Sequence, residues 1–358
     1  MIDVVAFVLG GVAVIATALS LLRAKAWWIR IWDFPRVQVA LIGATALALL
    51  GAAEGSLLDW PTAGLAALLA AATLYQASLV WRYTRLAPHE VQPSRRGGGA
   101  PRISLVVSNV LQTNREAERL LAAVHDCDPD VVLCLETDDW WEQQLDALVT
   151  THRHVVRRPL SNTYGMLLYS RLPLEKVQVD FLVEPDVPSI QAHVRLHGGT
   201  LVWLNCVHPR PPVPGESDES LERDAELLLV GKRVRDARLP VVVCGDLNDV
   251  AWSRTTRLFQ KTSRLLDPRK GRGFYSTFHA RYPGLRWPLD HVFFSDRFRL
   301  VKIARLDAVG SDHFPVHLVL DLEPEAAAEQ QAPEADGKDL QEARETVAEA
   351  RSEGPSRG

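Results

Sequence analysis

The chain has 358 residues, a formal net charge of −4, and four cysteines without the close pairing of a zinc site. Its composition divides it into a largely apolar segment at 1–90, a globular segment at 101–322 and an acidic segment after Asp321. The globular segment carries 28 Lys and Arg residues against 29 Asp and Glu residues, so it is nearly neutral. These values exclude a chain that is disordered throughout, and they exclude a strongly basic globular domain.

Three apolar runs occupy residues 4–22, 37–53 and 63–81. Each is near the length of about 20 residues that a helix needs to cross the hydrocarbon core of a bilayer. The sequence therefore predicts a membrane domain over 1–88 with three transmembrane helices. The second run is the shortest and is rich in Ala and Gly, so a re-entrant or buried helix is its alternative.

Basic residues predict the orientation of these helices. They are concentrated in the loop after the first run and in the segment after the third, whereas the loop between the second and third runs holds two acidic residues, Glu54 and Asp59. Lys and Arg are enriched on the cytoplasmic side of membrane proteins. The pattern predicts a multi-pass protein of the inner (plasma) membrane, with an external N-terminus and the part after residue 82 in the cytoplasm.

Residues 89–101 contain three consecutive glycines and no periodic pattern, and they are predicted to be a linker. Residues 102–322 alternate between short apolar, β-branched runs and amphipathic helical patterns, as in an α/β domain. Residues 323–358 hold ten acidic residues against four basic ones and little apolar material. This tail is predicted to be disordered, with at most a transient helix around 339–351.

Polar residues recur where the predicted strands of 102–322 begin or end. The clearest example is Asp246 and Asn248, which follow the apolar run 241–244. If the backbone stays extended there, the two side chains point the same way. A turn whose side chains bond to their own backbone is the alternative. The other such residues are Asn109, Glu136, His208, Asp290, Asp312 and His313.

Strand ends gather at the rim of a sheet, so these residues can share a site although they are distant in sequence. Carboxylates, amides and histidines together suit hydrolysis at phosphorus, which needs a base, cationic donors and a divalent ion. Oxygen ligands with few cysteines favour Mg²⁺, or Mn²⁺, over zinc.

The residues around these positions form seven motifs that resemble, in order and spacing, those of the endonuclease/exonuclease/phosphatase superfamily. The motifs are Ser-Asn-Val at 108–110, Leu-Glu-Thr at 135–137, Tyr-Gly-Met-Leu-Leu-Tyr-Ser at 164–170, Val-His-Pro at 207–209, Gly-Asp-Leu-Asn at 245–248, Leu-Asp-His-Val at 289–292 and Ser-Asp-His-Phe-Pro at 311–315. The resemblance covers 102–322 and is closest to a membrane-anchored bacterial member. It implies a four-layered α/β sandwich with two central β-sheets, and a metal-dependent hydrolytic site at their rim.

The resemblance also implies roles for the individual residues. Glu136 is similar to the main metal ligand of the family, with Asn109 and Asp312 helping to bind the ion or hold its waters. Asp246 resembles the residue that activates water, and Asn248 the residue that orients the water or the phosphate. The resemblance implies that His313 contacts the phosphate, that Asp290 positions His313, and that His208 serves the transition state or the leaving group.

The sequence is compatible with more than one class of substrate and function. A phosphodiesterase of nuclease type, a phosphatase or phospholipase acting on a lipid or inositol phosphate headgroup, and an inactive membrane-bound binding module are the alternatives. Residues 254–286 hold nine Lys and Arg residues interleaved with aromatic residues, which suits a nucleic acid strand or an anionic headgroup equally. The sequence gives no sign of an obligate protein partner. Gln112 and Asn114 stand where some nucleolytic members have an aspartate, so a weakly held metal ion is expected.

Overall fold

A computed structural model describes residues 2–52, 60–95, 97 and 99–353, without the side chains of residues 2, 3 and 61. The N-terminal part consists of α1 (Ile2–Leu21), the short α2 (Trp27–Arg30), α3 (Arg36–Ala52) and α4 (Trp60–Val80). Among the described residues, two helices are long and apolar enough to cross a membrane. A third span results if α3 and the bent segment before it, at 69° to each other, are counted as one. The three predicted runs therefore correspond to two or three candidate spans.

The N-terminal helices pack through small residues and leave large apolar residues on the outside. Ala6, Ala13 and Ala16 of α1 meet Ala46 of α3 and Leu69 of α4 in a buried cluster. Outward-facing residues include Val8, Leu41 and Leu74, which are 60%, 64% and 70% exposed. Small residues inside and large apolar residues outside are typical of helices that pack within lipid.

The strands of the C-terminal part begin at Arg102 and end at Leu322. They are β1 (Arg102–Asn109), β2 (Val131–Leu135), β3 (His154–Arg158), β4 (Met166–Ser170), β5 (Leu174–Asp180), β6 (Ser189–Arg195), β7 (Leu201–Val207), β8 (Val241–Asp246), β9 (Asp290–Phe294), β10 (Phe298–Arg305) and β11 (Val316–Leu322). Within the described residues they form a six-stranded sheet, β10-β11-β1-β2-β4-β3, and a five-stranded sheet, β5-β6-β7-β8-β9. β1 pairs with β2, and β7 with β8, in parallel, and the other neighbours are antiparallel.

The two sheets face each other across the main core, where Leu105 and Leu133 pack in one cluster with Leu204 and Val242. Helices α5 (Ala117–Cys127) and α6 (Asp139–Leu145) cover the outer face of the six-stranded sheet. Helices α7 (Leu221–Val234) and α8 (Arg254–Ser263) cover the five-stranded sheet. The order helix, sheet, sheet, helix confirms the predicted four-layered α/β sandwich with two central sheets.

The sandwich contacts the N-terminal helices directly. The Tyr83 hydroxyl donates to the Ala251 carbonyl (2.7 Å), and the Trp252 indole donates to the Asp33 carbonyl (2.8 Å). In the predicted linker, the described residues include a fully buried Val91 and a Ser94 whose hydroxyl bonds to Glu323 (3.0 Å). This segment therefore packs on the domain, because its side chains find partners that its glycine content does not reveal.

The prediction of a disordered tail is wrong for residues 337–353, because the helix expected there only transiently is a packed helix, α9 (Gly337–Glu353). Ala343 and Val347 pack against Leu228 of α7 and Leu258 of α8. Acidic residues before and along α9 form ion pairs with basic residues of other elements. The pairs are Lys25–Glu349, Arg254–Glu342, Lys261–Asp339 and Arg264–Glu334. Charge complementarity to a distant segment thus orders a helix whose own composition favours disorder.

A buried carboxylate on α7 makes the stability of the fold depend on pH. Glu226 is 1% exposed, and the Ser189 hydroxyl donates to it (3.3 Å). Burial raises the pKa of Glu226 from 4.5 to about 8. The pKa of Glu226 is higher in the folded state than in the unfolded state, so the free energy of unfolding is expected to fall as pH rises from about 4.5 to about 8. At roughly 1.4 kcal/mol for each unit of pKa difference, the total fall is a few kcal/mol.

Glu226→Gln removes this ionisation, so the variant is expected to be more stable than the parent at about pH 8 and similar to it near pH 4.5. Chemical denaturation at both pH values measures the difference. Glu118→Gln, at an exposed position of α5, is the matched control. An unchanged pH dependence in Glu226→Gln would show that the carboxylate is not the source.

Candidate active site

Four strand ends meet at one rim of the sandwich. Asn109 ends β1 and Glu136 follows β2, while His208 follows β7 and Asp246 ends β8. Asn109 Nδ2 donates to Glu136 Oε1 (2.7 Å) and to Asp246 Oδ2 (3.0 Å). This one amide therefore joins the six-stranded sheet to the five-stranded sheet at the centre of the predicted site.

The turn after β8 positions the Asp246 carboxylate. The backbone of Gly245 passes so close to β7 that an added Cβ would lie 1.9 Å from the Val207 carbonyl oxygen, so only glycine fits here. Asn248 adopts a left-handed backbone (φ 51°), and its N–H donates to Asp246 Oδ1 (2.9 Å). Its Nδ2 donates to the Pro209 carbonyl (2.9 Å). Of the two alternatives for this pair, the turn is the one that the structure contains, because the backbone turns at Asn248 and bonds to the Asp246 side chain.

His313 lies between two buried carboxylates. Its Nδ1 bonds to Asp290 Oδ2 (2.7 Å), and its Nε2 lies 3.5 Å from Asp246 Oδ2. Asp246 and Asp290 are themselves register partners across β8 and β9. Burial alone would lower the pKa of His313, but the two carboxylates outweigh it and raise that pKa to about 10. His313 is therefore a protonated imidazole at neutral pH, fixed in place by Asp290.

Glu136 is a second buried carboxylate at the rim, in a left-handed conformation with φ 59°. Burial raises the pKa of Glu136 to about 7, and the hydrogen bond from Asn109 opposes this shift. Asp312 is close enough to raise that pKa further. In the described part of the chain, no Lys or Arg is in ion-pair contact with Glu136, so its negative charge lacks a strong partner.

His208 lies against the same cluster but remains neutral. It is 3% exposed, its ring centroid lies 5.5 Å from that of Tyr164, and its Nδ1 has no hydrogen-bond partner among the described residues. Burial lowers the pKa of His208, although Asp246 acts in the opposite direction. A neutral imidazole with a free nitrogen can exchange a hydrogen bond with a group that enters the site.

Two sets of side chains at the rim have the composition of a metal site. Asp246, Asp290 and His313 bring one ligand atom each within 4.8 Å of one another. His313 hydrogen-bonds to Asp290 Oδ2 and lies in ion-pair contact with Asp246 Oδ2, so these contacts account for the closeness of this set. Glu136 and Asp312 offer carboxylate oxygens without a basic partner for Glu136, which fits a hard divalent cation. Asn109 accepts from the Leu111 N–H (3.0 Å), so its amide orients Glu136.

The rim faces a cavity of about 630 Å³. Four predicted site residues line it, namely Glu136, Asn248, Asp312 and His313. Most of its remaining lining is apolar and comes from three other segments: 27–35 between the first N-terminal helices, 211–214 after β7, and 278–289 before β9. Sequence reasoning missed this wall, because no local pattern indicates that the loop after α1 reaches the site.

Thr277 and Phe278 are further neighbours of the cluster that sequence reasoning missed. The Thr277 hydroxyl accepts from the Asp290 N–H (3.2 Å), and the Phe278 ring lies 5.0 Å from that of His313. A threonine and a phenylalanine within a basic stretch carry no sequence signal for such a position.

The fold has many relatives among solved structures. An endonuclease/exonuclease/phosphatase from Beutenbergia cavernae DSM 12333 matches with a TM-score of 0.50 and 20% identity, over 62% of this chain and 72% of that one. D. rerio TDP2 complexed with a single strand DNA product matches at 0.52 and 16% identity, over 62% and 99%. The human Nocturnin catalytic domain with bound sulfate matches at 0.51 and 16% identity, over 62% and 95%.

At these identities the structural matches establish the fold. No curated protein matches the sequence. The family model described as "Endonuclease/Exonuclease/phosphatase family" matches residues 106–313, which contain all eight predicted site residues. Because this match spans more than half of the 358 residues, the chain belongs to the endonuclease/exonuclease/phosphatase family.

Proposed function

We propose that the chain is a membrane-anchored, divalent-metal-dependent phosphoesterase that hydrolyses phosphodiester bonds. The observation that carries the proposal is the placement of the Asp246 carboxylate. It accepts from Asn109, lies beside the protonated His313, and is joined through Asn109 to Glu136. A base, a cationic donor and a carboxylate for a metal ion therefore lie together, as hydrolysis at phosphorus requires.

Glu136 and Asp312, with Asn109 orienting Glu136, would hold Mg²⁺ or Mn²⁺ at the rim. When bound, such an ion offsets the phosphate charge and polarises a phosphoryl oxygen. In this assignment Asp290 positions His313 through its Oδ2.

Asp246 accepts a proton from the attacking water in the proposed reaction. The water oxygen forms a bond to phosphorus, and the bond between phosphorus and the leaving oxygen breaks. His313 donates Nε2–H to a non-bridging oxygen of the phosphate, while Asp290 keeps its ring in place. His208 donates a hydrogen bond to the departing oxygen, which leaves with the electron pair of the broken bond and takes up a proton from solvent. Asn248 orients the water or the phosphate.

The membrane anchor rests on the candidate spans in the N-terminal helices. The loop after α1 and the segment after α4 both contact the sandwich, through Trp252 with Asp33 and Tyr83 with Ala251. Both connections are the basic ones, so the positive-inside rule supports a catalytic domain on the cytoplasmic face of the inner membrane.

Most of the basic residues in the stretch 254–286 are paired with carboxylates. Arg269 and Lys270 are buried in ion pairs with Asp267 (2.8 Å) and Glu90 (2.6 Å). Arg254, Lys261 and Arg264 pair with acidic residues of the tail. Five of the nine basic residues are thus neutralised within the described structure, which weakens the support for a nucleic acid strand along this stretch.

Glu136→Gln tests the metal assignment. The variant is expected to need roughly tenfold or more Mg²⁺ for half-maximal hydrolysis, because it lacks the charged oxygen that would bind the ion. EDTA is expected to abolish the activity of the parent protein. Titrating Mg²⁺ against the rate for the parent, Glu136→Gln and the exposed control Glu118→Gln measures this shift.

An unchanged Mg²⁺ requirement in Glu136→Gln would contradict the assignment. Calorimetry without substrate is expected to show weak Mg²⁺ binding by the parent, since Glu136 is the main ligand. Tight binding under those conditions would contradict this second expectation.

A further inference from the structure

The apolar cavity beside the catalytic rim is the feature that the proposed reaction leaves unexplained. Hydrolysis of a phosphodiester needs polar and charged groups around phosphorus. The cavity wall opposite them instead contains indole, phenyl, branched aliphatic and proline side chains. These are Trp27, Ile31, Trp32, Phe34, Pro35, Pro211, Pro212, Val213, Pro214, Phe278, Leu285, Trp287 and Leu289.

Several of these apolar residues are open to solvent. Ile31 and Leu285 are each 51% exposed, and Val213 is 41% exposed. Exposed apolar residues that are grouped around a cavity mark a binding surface more often than scattered ones do. The apolar part of a ligand would gain free energy by covering them.

The cavity lies at the end of the helical bundle where α1 is connected to α3. Gln38, in the first turn of α3, donates to the Gly284 carbonyl (3.0 Å), which places the neighbouring Leu285 beside the start of this N-terminal helix. The Phe34 and Trp287 rings meet edge to face, 5.7 Å apart, and connect the two walls. Trp28, next to this wall, is 51% exposed, and tryptophan is enriched where protein meets the headgroup layer.

A nucleic acid does not fit this wall. Among the described residues that line the cavity, Arg30 is the one Lys or Arg. It is 8% exposed and bonds to Asp33 (3.1 Å) and to Thr255 (3.0 Å). Binding a polyanionic strand relies on basic side chains that are free to contact successive phosphates.

We infer that the substrate is an amphiphile, a membrane lipid with a phosphodiester headgroup. Its alkyl chain lies in the apolar cavity, and its phosphorus lies at Asp246 and His313. The loop 27–35, which belongs to the membrane domain, supplies one wall, so the lipid enters from the bilayer side. This inference rests on the proposed function, because it assigns the substrate class of the same site.

Two phosphodiesters with the same scissile bond test the inference: methyl p-nitrophenyl phosphate and octyl p-nitrophenyl phosphate. The full chain is held in an amphipathic polymer, so that no phospholipid competes, and kcat/KM is measured for each ester with Mg²⁺. The octyl ester is expected to be better by roughly tenfold or more, since seven additional methylenes become buried.

The ratio of the two kcat/KM values is the readout, because a loss of folded protein lowers both values equally. Val213→Asn and Leu285→Asn are each expected to lower the ratio by about threefold or more. Val301→Asn is the matched control, since Val301 is 42% exposed on β10 and lies outside the cavity lining. Its ratio is expected to equal that of the parent.

Equal kcat/KM values for the two esters, or a ratio unchanged in both cavity variants, would overturn the lipid inference. If in that case the methyl ester is still hydrolysed and Asp246→Asn loses that activity, the proposed function is supported although the lipid inference is not. If neither ester is hydrolysed, both the proposed function and the lipid inference are overturned. A single-stranded oligonucleotide hydrolysed with a higher kcat/KM than the octyl ester would replace the lipid with a nucleic acid.

Discussion

Asp246→Asn is expected to lower kcat for phosphodiester hydrolysis by about 10²–10⁴-fold, the contribution typical of a positioned general base. The reason is chemical, because asparagine has nearly the shape of aspartate but cannot accept the proton of the attacking water. Asn109 and the Asn248 N–H each donate a hydrogen bond to Asp246 and so fix its orientation. The side-chain oxygen of an asparagine at position 246 can still accept one of these bonds. The position is 1% exposed, so the substitution also changes a buried charge.

Steady-state kinetics of the full chain measures the loss of the base, and thermal unfolding measures the effect of the changed buried charge on stability. Asp126→Asn, at an exposed position of α5, is the matched control and is expected to retain parental kcat. A folded Asp246→Asn protein with kcat within about threefold of the parent would show that another group takes the proton.

His313→Gln is expected to lower both activity and stability. The imidazolium separates Asp246 from Asp290, and its removal leaves two buried carboxylates facing each other. Breaking a buried ion pair by removing one partner costs about 3–5 kcal/mol in free energy of unfolding. The loss of a charged donor to the phosphate is expected to reduce kcat by about 10²–10³-fold.

The double variant His313→Gln/Asp290→Asn separates the two roles of His313. Neutralising Asp290 removes one of the facing charges, so most of the lost stability is expected to return while activity stays low. Urea denaturation and kinetics on the two single variants and the double variant give the coupling. Recovery of activity in the double variant would contradict the proposed contact between His313 and the phosphate. A His313→Gln protein as stable as the parent would contradict the placement of the imidazolium between two buried carboxylates.

The core of the fold could be predicted because its strands are continuous apolar runs. β1, β2, β7 and β8 are almost entirely buried, and such runs are legible in the sequence without any partner. β3, β5 and β10 were not predicted. The exposed residues in the middle of β5 and β10 mix polar residues with valines, and these two strands carry an irregularity in register, so neither shows a clean alternation.

The site could be predicted as a set of residues, because each lies at the end of a legible strand. Its internal geometry could not be predicted, since the hydrogen bonds from Asn109 to Glu136 and to Asp246 depend on how neighbouring strands and the two sheets come together. The apolar wall of the cavity and the ordered tail could not be predicted for a similar reason. Segment 27–35 and helix α9 find their partners more than 70 residues away in sequence, and composition contains no information on such pairing.

The claim that water attacks phosphorus with Asp246 as the base can be tested in one measurement. The full chain, held in an amphipathic polymer with Mg²⁺, is incubated with methyl p-nitrophenyl phosphate in water enriched in ¹⁸O. We expect one ¹⁸O atom in the methyl phosphate product, no reaction in EDTA, and loss of the reaction in Asp246→Asn. Nitrophenol carrying ¹⁸O, or hydrolysis that persists in EDTA or in Asp246→Asn, would contradict the proposed site.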